Sequence, residues 1–272
     1  MTTDVSIPDL VRWAALFYWM DLPDPAPEHP RTLVRRDGYA VSVFPGLSYG
    51  DVCVHAIHPE RIGQVVEEAR SLLAAHGKSQ GAWIVAEAAT PIGLADELRS
   101  RGMVVPRDES SLEPRSAAMV AVSPPDPGPA DVDVEAVRTF EEYRLARRVR
   151  DEAFVFGEDD RGAFEAKERL LWEIEAGGGV SRSFVARIDG EVVGYGGAMI
   201  GTNAVCLTGG STRADMRGRG VYRALVRARW DAAVERGTPA LTVDAGRMSR
   251  PILDRLGFTT VGWIDCLLDR FA

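Results

Sequence analysis

The chain has 272 residues, enough for one large domain or two of ordinary size. Its formal net charge of −8 argues against nucleic acid or an anionic membrane as the main partner. The sequence has neither a run of about 20 apolar residues nor a basic-then-apolar leader, so we expect a soluble, cytoplasmic protein.

Helix-like and strand-like patterns alternate along the first half of the chain. Apolar residues at helical spacing predict a helix over residues 8–20. Asp37-Gly38 lies between two strand-like runs and predicts a β-hairpin. A strand, an amphipathic helix, a buried strand and a second helix are then predicted, over residues 51–57, 59–76, 82–86 and 92–100.

Four prolines in the seven residues 123–129 mark a boundary between two halves. Such a segment forms neither a helix nor an interior strand, because proline lacks a backbone N–H and has a fixed φ. It predicts a stiff, extended connector. We therefore predict two domains, residues 1–122 and 132–272, joined by a proline-rich linker over residues 123–131.

The second half contains a further hairpin and a glycine-rich bend. Asp189-Gly190 joins two strand-like runs, and another such run precedes Arg217-Gly218-Arg219-Gly220-Val221-Tyr222 and a helical pattern. A glycine-rich bend at a helix start aims unpaired backbone N–H groups at one point, where the helix dipole also favours negative charge. The bend therefore predicts a phosphate-binding site.

Three kinds of phosphate-binding loop can be compared with this bend. The ATP-binding P-loop is excluded, because no lysine follows the glycines. The dinucleotide fingerprint fits Gly218 and Gly220, but Arg223 stands where its third glycine should be. Asp244 lies at a plausible distance for the acid that binds a ribose, which keeps this alternative open. The hairpin upstream argues against a first Rossmann crossover.

The third kind of loop belongs to a known family. From Val132 onward the chain resembles the GNAT superfamily of acyl-CoA N-acyltransferases, whose signature is Gln or Arg, two residues, Gly, one residue, then Gly or Ala. Residues 217–222 match it except at the last position. Residues 250–258 look like the family's helix that ends in a Leu-Gly-Phe turn.

The first half resembles a degenerate copy of the same fold, because its elements follow a similar order. It lacks the bend, since residues 57–62 contain neither glycine nor a leading arginine. We therefore expect it not to bind coenzyme A. The resemblance implies an α+β (mixed α/β) fold with two GNAT-like domains, each a mixed, mostly antiparallel sheet flanked by helices.

The resemblance also implies a coenzyme A site at the bend and at the splayed strand before it. The implied coenzyme-binding residues are Gly210, Ser211, Thr212, Arg217, Gly218, Arg219, Gly220, Val221 and Tyr222. Three positions depart from the family's pattern. Tyr222 replaces a small residue, Leu253 replaces a common tyrosine that resembles a general acid, and Gly246 stands where asparagine is common.

Acyl transfer to an amine needs a group that accepts a proton, because a free alkyl amine is mostly protonated at pH 7. Asp244, at the end of its predicted strand, is the candidate general base, and Glu158 and Asp159 are the alternative candidates. We expect transfer of an acetyl group from acetyl-CoA to the amine of a small molecule, by a monomer or homodimer. The alternative is a catalytically weak acyl-CoA-binding sensor or pseudoenzyme, which the residues at 246 and 253 favour.

The cysteines and histidines predict neither a disulfide nor a metal site. Cys53, Cys206 and Cys266 are far apart and odd in number, which favours buried free thiols. His55 and His58 have no third ligand beside them and would point to opposite faces of a strand.

Overall fold

A computed structural model describes residues 6–25, 29, 31–44, 47–107, 112–153 and 168–271. Within them, eleven strands form one continuous mixed sheet in the order β1-β2-β3-β4-β11-β5-β10-β9-β8-β7-β6. The described helices pack against this sheet. None of them is both long and apolar enough to cross a membrane.

The described part of the first half contains four helices and five strands. They are α1 (Asp9–Leu16), α2 (Tyr18–Asp21), β1 (Thr32–Arg36), β2 (Tyr39–Val43), β3 (Gly50–Ala56), α3 (Ile62–Ala75), β4 (Gln80–Thr90), α4 (Leu94–Ser100) and β5 (Arg115–Ala121). The single helix predicted over residues 8–20 is broken at Phe17, whose φ of −137° is not helical. The predicted hairpin joins β1 and β2, with Gly38 at a φ of 83°.

The described part of the second half contains the remaining helices and strands. They are β6 (Asp133–Ala136), α5 (Phe140–Ala153), α6 (described over 168–176), β7 (Ser181–Ile188), β8 (Glu191–Ile200), β9 (Val205–Thr212), α7 (Val221–Glu235), β10 (Leu241–Ala245), α8 (Arg250–Arg255) and β11 (Thr259–Arg270). The predicted hairpin at Asp189-Gly190 joins β7 and β8.

The two halves exchange their last strands. β11 belongs to the second half but pairs with β4, where Cys266 lies opposite Ile84. β5 belongs to the first half but pairs with β10, where Ala118 lies opposite Asp244. A sheet was expected in each half, and this exchange joins the two into one. Two neighbouring pairs, β3–β4 and β9–β10, are parallel.

Helices α5 and α7 lie on opposite faces of the sheet. Gly194 and Tyr195 are consecutive in β8 and therefore point to opposite faces. A Cβ at Gly194 would meet Val221 of α7, whereas Tyr195 shares a core cluster with Tyr143 of α5. Helix α1 of the first half packs against β5, β10 and β11, so it covers part of the sheet of the second half.

The proline-rich linker runs along α7 without regular secondary structure over residues 123–129. Arg227 of α7 donates a hydrogen bond from Nη1 to the Pro125 carbonyl oxygen at 3.1 Å. Gly128 lies so close to Ala224 that a Cβ at this position would overlap the helix. The linker is therefore attached to α7, and the division of the chain into two domains stays a prediction.

Candidate active site

The sheet opens between β9 and β10. These strands are parallel but pair only at Val205 with Leu241 and at Cys206 with Thr242. Beyond that point β9 continues along β8, and β10 continues along β5. The strands therefore separate and leave a gap with unpaired backbone edges on both sides.

A bulge in β9 faces this gap. Tyr195 of β8 pairs with Ser211, and Gly197 pairs with Thr208, so residues 209–210 of β9 oppose a single residue of β8. The φ of Gly209 is 55°, a left-handed conformation that glycine adopts without a Cβ clash. A bulge of this kind interrupts the ladder of hydrogen bonds and re-aims the backbone beside it.

The turn before α7 has free amides. Gly218 and Gly220 have φ values of 81° and 76°, and Gly220 is the N-cap of α7. No side chain caps this helix, and no described group accepts a hydrogen bond from the amides of residues 218–222. Free amides at the positive end of a helix dipole form an anion site.

Two arginines flank these amides, and only one of them is in an ion pair with a described residue. Arg217 is exposed, and its guanidinium forms no hydrogen bond or ion pair with the described residues. Arg219 pairs through Nη2 with Asp131 Oδ2 of the linker at 2.9 Å. Arg217 can therefore pair with a phosphate directly, whereas Arg219 must share or release Asp131.

Tyr222 packs beneath the bulge. A Cβ at Gly210 would lie 2.7 Å from the Tyr222 ring, and burial raises the pKa of Tyr222. The guanidinium of Arg229 is close enough to act on this pKa in the opposite direction. Arg229 is fully buried and donates to the carbonyl oxygens of Leu225 at 2.9 Å and Gly197 at 3.0 Å. The tyrosine and Arg229 therefore support the bulge from the α7 side.

Asp244 lies on β10 where the strands have separated. Burial raises the pKa of its carboxyl from 3.8 to about 7. The carboxyl forms no hydrogen bond or ion pair with the described residues, and no basic group acts on its pKa. A carboxyl that titrates near neutral pH can accept a proton from an ammonium group.

The other predicted catalytic residues cannot be placed. Glu158 and Asp159 lie outside the described residues. The space for a general acid at position 253 is also closed, because Leu253 is fully buried in the core with α7 and β10. At Gly246 a Cβ would overlap the carboxylate of Glu113, so Glu113 occupies the space of a side chain at 246.

Residues of the first half also line this cavity, and the sequence did not predict them as site residues. Among them are Tyr18 of α2 and Asp51 of β3. Burial, followed by the charges of Asp51 and Asp244, raises the pKa of Tyr18 well above its ordinary value. The one sequence signal for Asp51 is an acid beside the apolar run Val52-Cys53-Val54.

One cavity of about 1720 Å³ connects these groups. All nine predicted coenzyme-binding residues and Asp244 lie along it. Ligand pockets usually measure about 300–1,000 Å³, so this one has room for two substrates together. Its walls come from both halves of the chain.

Cys206 and Cys266 line the same cavity. All three cysteines are buried free thiols, as expected. The His55 ring packs edge-on against Phe17 at 4.8 Å between ring centroids. In the part of the chain that the structure describes, no three His, Cys, Asp or Glu residues are grouped so as to hold a metal ion.

Residues 143–258 match the family model described as Acetyltransferase (GNAT) family. This range contains the gap, the bend and Asp244. No match was found among the curated proteins.

Solved structures resemble the chain over almost its whole length. A GCN5-related N-acetyltransferase from Kribbella flavida is 18% identical with a TM-score of 0.66, covering 96% of this chain and 95% of that one. A tandem GNAT protein from the clavulanic acid biosynthesis pathway is 16% identical with a TM-score of 0.57, covering 98% and 89%. A GCN5-related N-acetyltransferase from Sphaerobacter thermophilus is 14% identical with a TM-score of 0.55, covering 86% and 76%. At these identities the likeness concerns the fold.

Proposed function

The chain carries a domain of the GNAT acetyltransferase family, and from that premise we propose that it moves an acetyl group from acetyl-CoA to the amine of a small-molecule acceptor. The observation that carries the proposal is the set of free amides at residues 218–222 beside the gap between β9 and β10. A diphosphate needs such donors at one point.

The described residues fit coenzyme A by their chemistry. The amides of residues 218–222 and the Arg217 guanidinium would hold the diphosphate. The unpaired edge of β9 over residues 210–212 would hold the amide-containing pantetheine arm through main-chain hydrogen bonds. Both lie along the same cavity as Asp244.

In the proposed reaction the neutral amine nitrogen attacks the thioester carbonyl carbon, and the C–S bond breaks. The proton that the amine loses passes to the Asp244 carboxylate, directly or through water. Because burial places the pKa of Asp244 at about 7, this group both accepts and releases a proton near neutral pH. Alignment of the two substrates supplies much of the rate.

The departing thiolate needs either a proton or enough stability to leave without one. Leu253 cannot supply a proton, whereas the raised pKa of Tyr18 keeps its phenol protonated. We assign to Tyr18 a hydrogen bond to the leaving group, within the same proposal. A thiol pKa near 8.5 also permits departure as the thiolate.

The test is a thiol-release assay of the full chain with acetyl-CoA and a panel of amines, together with calorimetric titration of the coenzyme. The proposal expects coenzyme binding and acceptor-dependent thiol release. Binding without turnover on any acceptor would favour the sensor, which the leucine at position 253 supports. Absence of coenzyme binding would overturn both functions.

A further inference from the structure

Four carboxylates of the described residues are more than nine-tenths buried, and one of them has no partner. Three are held by hydrogen bonds or ion pairs: Asp21 with Asn203, Glu175 with Ser183, and Asp269 with Arg70. The fourth, Asp51, is 7% exposed, and its carboxyl forms no hydrogen bond or ion pair with the described residues.

An unpaired buried carboxylate is costly, because nothing replaces the water that it loses. Burial alone raises the pKa of Asp51 from 3.8 to about 7, and no arginine or lysine acts on it. Buried polar groups in folded proteins are nearly always satisfied. The Asp51 carboxyl is buried, has no partner among the described residues and lines the cavity, so a ligand in the cavity can satisfy it.

Asp51 and Asp244 both line the cavity that the bend also lines. Both carboxylates raise the pKa of Tyr18 and of Cys266, so each lies within electrostatic reach of the same two side chains. Arginines also line the cavity, but none of them acts on the pKa of Asp51 or Asp244. Tyr18 lies within electrostatic reach of both carboxylates.

We infer that Asp51 binds a second ammonium group of the acceptor, which is therefore a diamine or polyamine whose reacting nitrogen lies at Asp244. This inference rests on the proposed function. The first half of the chain then selects the acceptor, since it supplies Asp51 and Tyr18. The Tyr18 ring adds a face over which the cationic chain can lie.

The test compares binding of alkyl monoamines and α,ω-diamines over a series of chain lengths, by calorimetry on the full chain with coenzyme A present. We expect the best diamine to bind about 10- to 100-fold more tightly than its matched monoamine, as for a hydrogen-bonded charge. Asp51→Asn removes this preference and leaves monoamine affinity unchanged. The variant folds, because it loses a costly buried charge, and its melting temperature checks this.

Asp37→Asn is the matched control, because Asp37 lies in the same half with a 96% exposed side chain. Equal binding of both amine classes, or an Asp51→Asn variant that keeps the diamine preference, overturns the inference. An Asp51→Asn variant that loses affinity equally for monoamines and diamines also overturns it. Acetylation measured in parallel separates the two proposals. A preference for diamines without thiol release overturns the proposed function alone. Acetylation without a preference for diamines overturns this inference alone.

Discussion

Asp51 is a buried carboxylate and Asp244 a partly buried one, and the fold provides a cation to neither. Burial raises the pKa of each to about 7. An aspartate in water is ionised above a pH of about 4, whereas these two change charge near neutral pH. Asp244 lies at the gap in the sheet, and Asp51 lies in the wall that the first half provides.

Catalysis by Asp244 requires its ionised form, so the rate should rise with pH. Below a pKa of about 7 the carboxyl is protonated and cannot accept a proton, and above it the rate levels off. We expect kcat at saturating substrates to follow this rise in the wild type. Asp244→Asn should lower kcat by about 10²- to 10⁴-fold and remove the inflection.

Asp231→Asn is the control for this profile, because Asp231 is half-exposed on α7 and paired with Arg227. It should keep the wild-type kcat and the inflection. An Asp244→Asn profile that superimposes on the wild type would show that another group accepts the proton.

The sequence identifies some of these residues and not others for a physical reason. Asp244 was proposed because the strand predicted after the bend ends there, and its catalytic role stays a prediction. Tyr18 and Asp51 could not, since each is polar within an apolar segment that is distant in sequence from the bend. Only the tertiary fold brings α2 and β3 to the cavity.

At the scale of elements, the linker and α7 behave as one unit. Gly128 packs against Ala224, and Pro129 lies against Gly220, where a Cβ would approach the proline ring to 2.7 Å. Asp131 pairs with Arg219. The linker therefore fixes the turn that holds the free amides.

A larger residue at position 128 should disturb this unit. Gly128→Val places a side chain into Ala224, and overpacking of this kind costs about 1–3 kcal/mol. We expect a lower melting temperature and weaker acetyl-CoA affinity, because Pro129 and Gly220 shift together. Ser123→Ala, an exposed change in the same linker, should alter neither. A Gly128→Val variant with a lower melting temperature but wild-type affinity for acetyl-CoA would contradict the role of the linker in fixing the turn.

Local signals predicted the elements that depend on local geometry. The two Asp-Gly hairpins and the helix after the bend are present, because turn and cap conformations follow from a few residues. Strands β5 and β11 were not predicted. Each is stabilised by partners far away in sequence, and β11 buries residues on both faces, including Ile264 and Leu267.

For the whole molecule, the strand exchange makes each half depend on the other. The sequence predicted two halves with similar order of elements, but a shared sheet leaves no local pattern. Without the second half, β4 and β5 lose the neighbours β11 and β10 and present open edges. The similarity in order of elements is therefore not a sign of independent folding.

Separate expression of the halves tests this dependence. We expect residues 1–122 alone and residues 123–272 alone to aggregate or to lack cooperative unfolding, and co-expression to give a one-to-one complex. Circular dichroism melts and light scattering measure both. A single half that is monomeric and unfolds cooperatively would contradict the dependence.

Both proposals depend on binding of the coenzyme diphosphate by the turn around Gly220, and calorimetry of acetyl-CoA binding measures this. Gly220→Ala and Gly237→Ala each place a side chain at a φ near 77°, a strain of about 1–2 kcal/mol. Gly237 lies at the other end of α7 with open space around it. We predict a loss of about tenfold or more for Gly220→Ala and wild-type affinity for Gly237→Ala. Equal affinity of both variants and the wild type would place the coenzyme elsewhere.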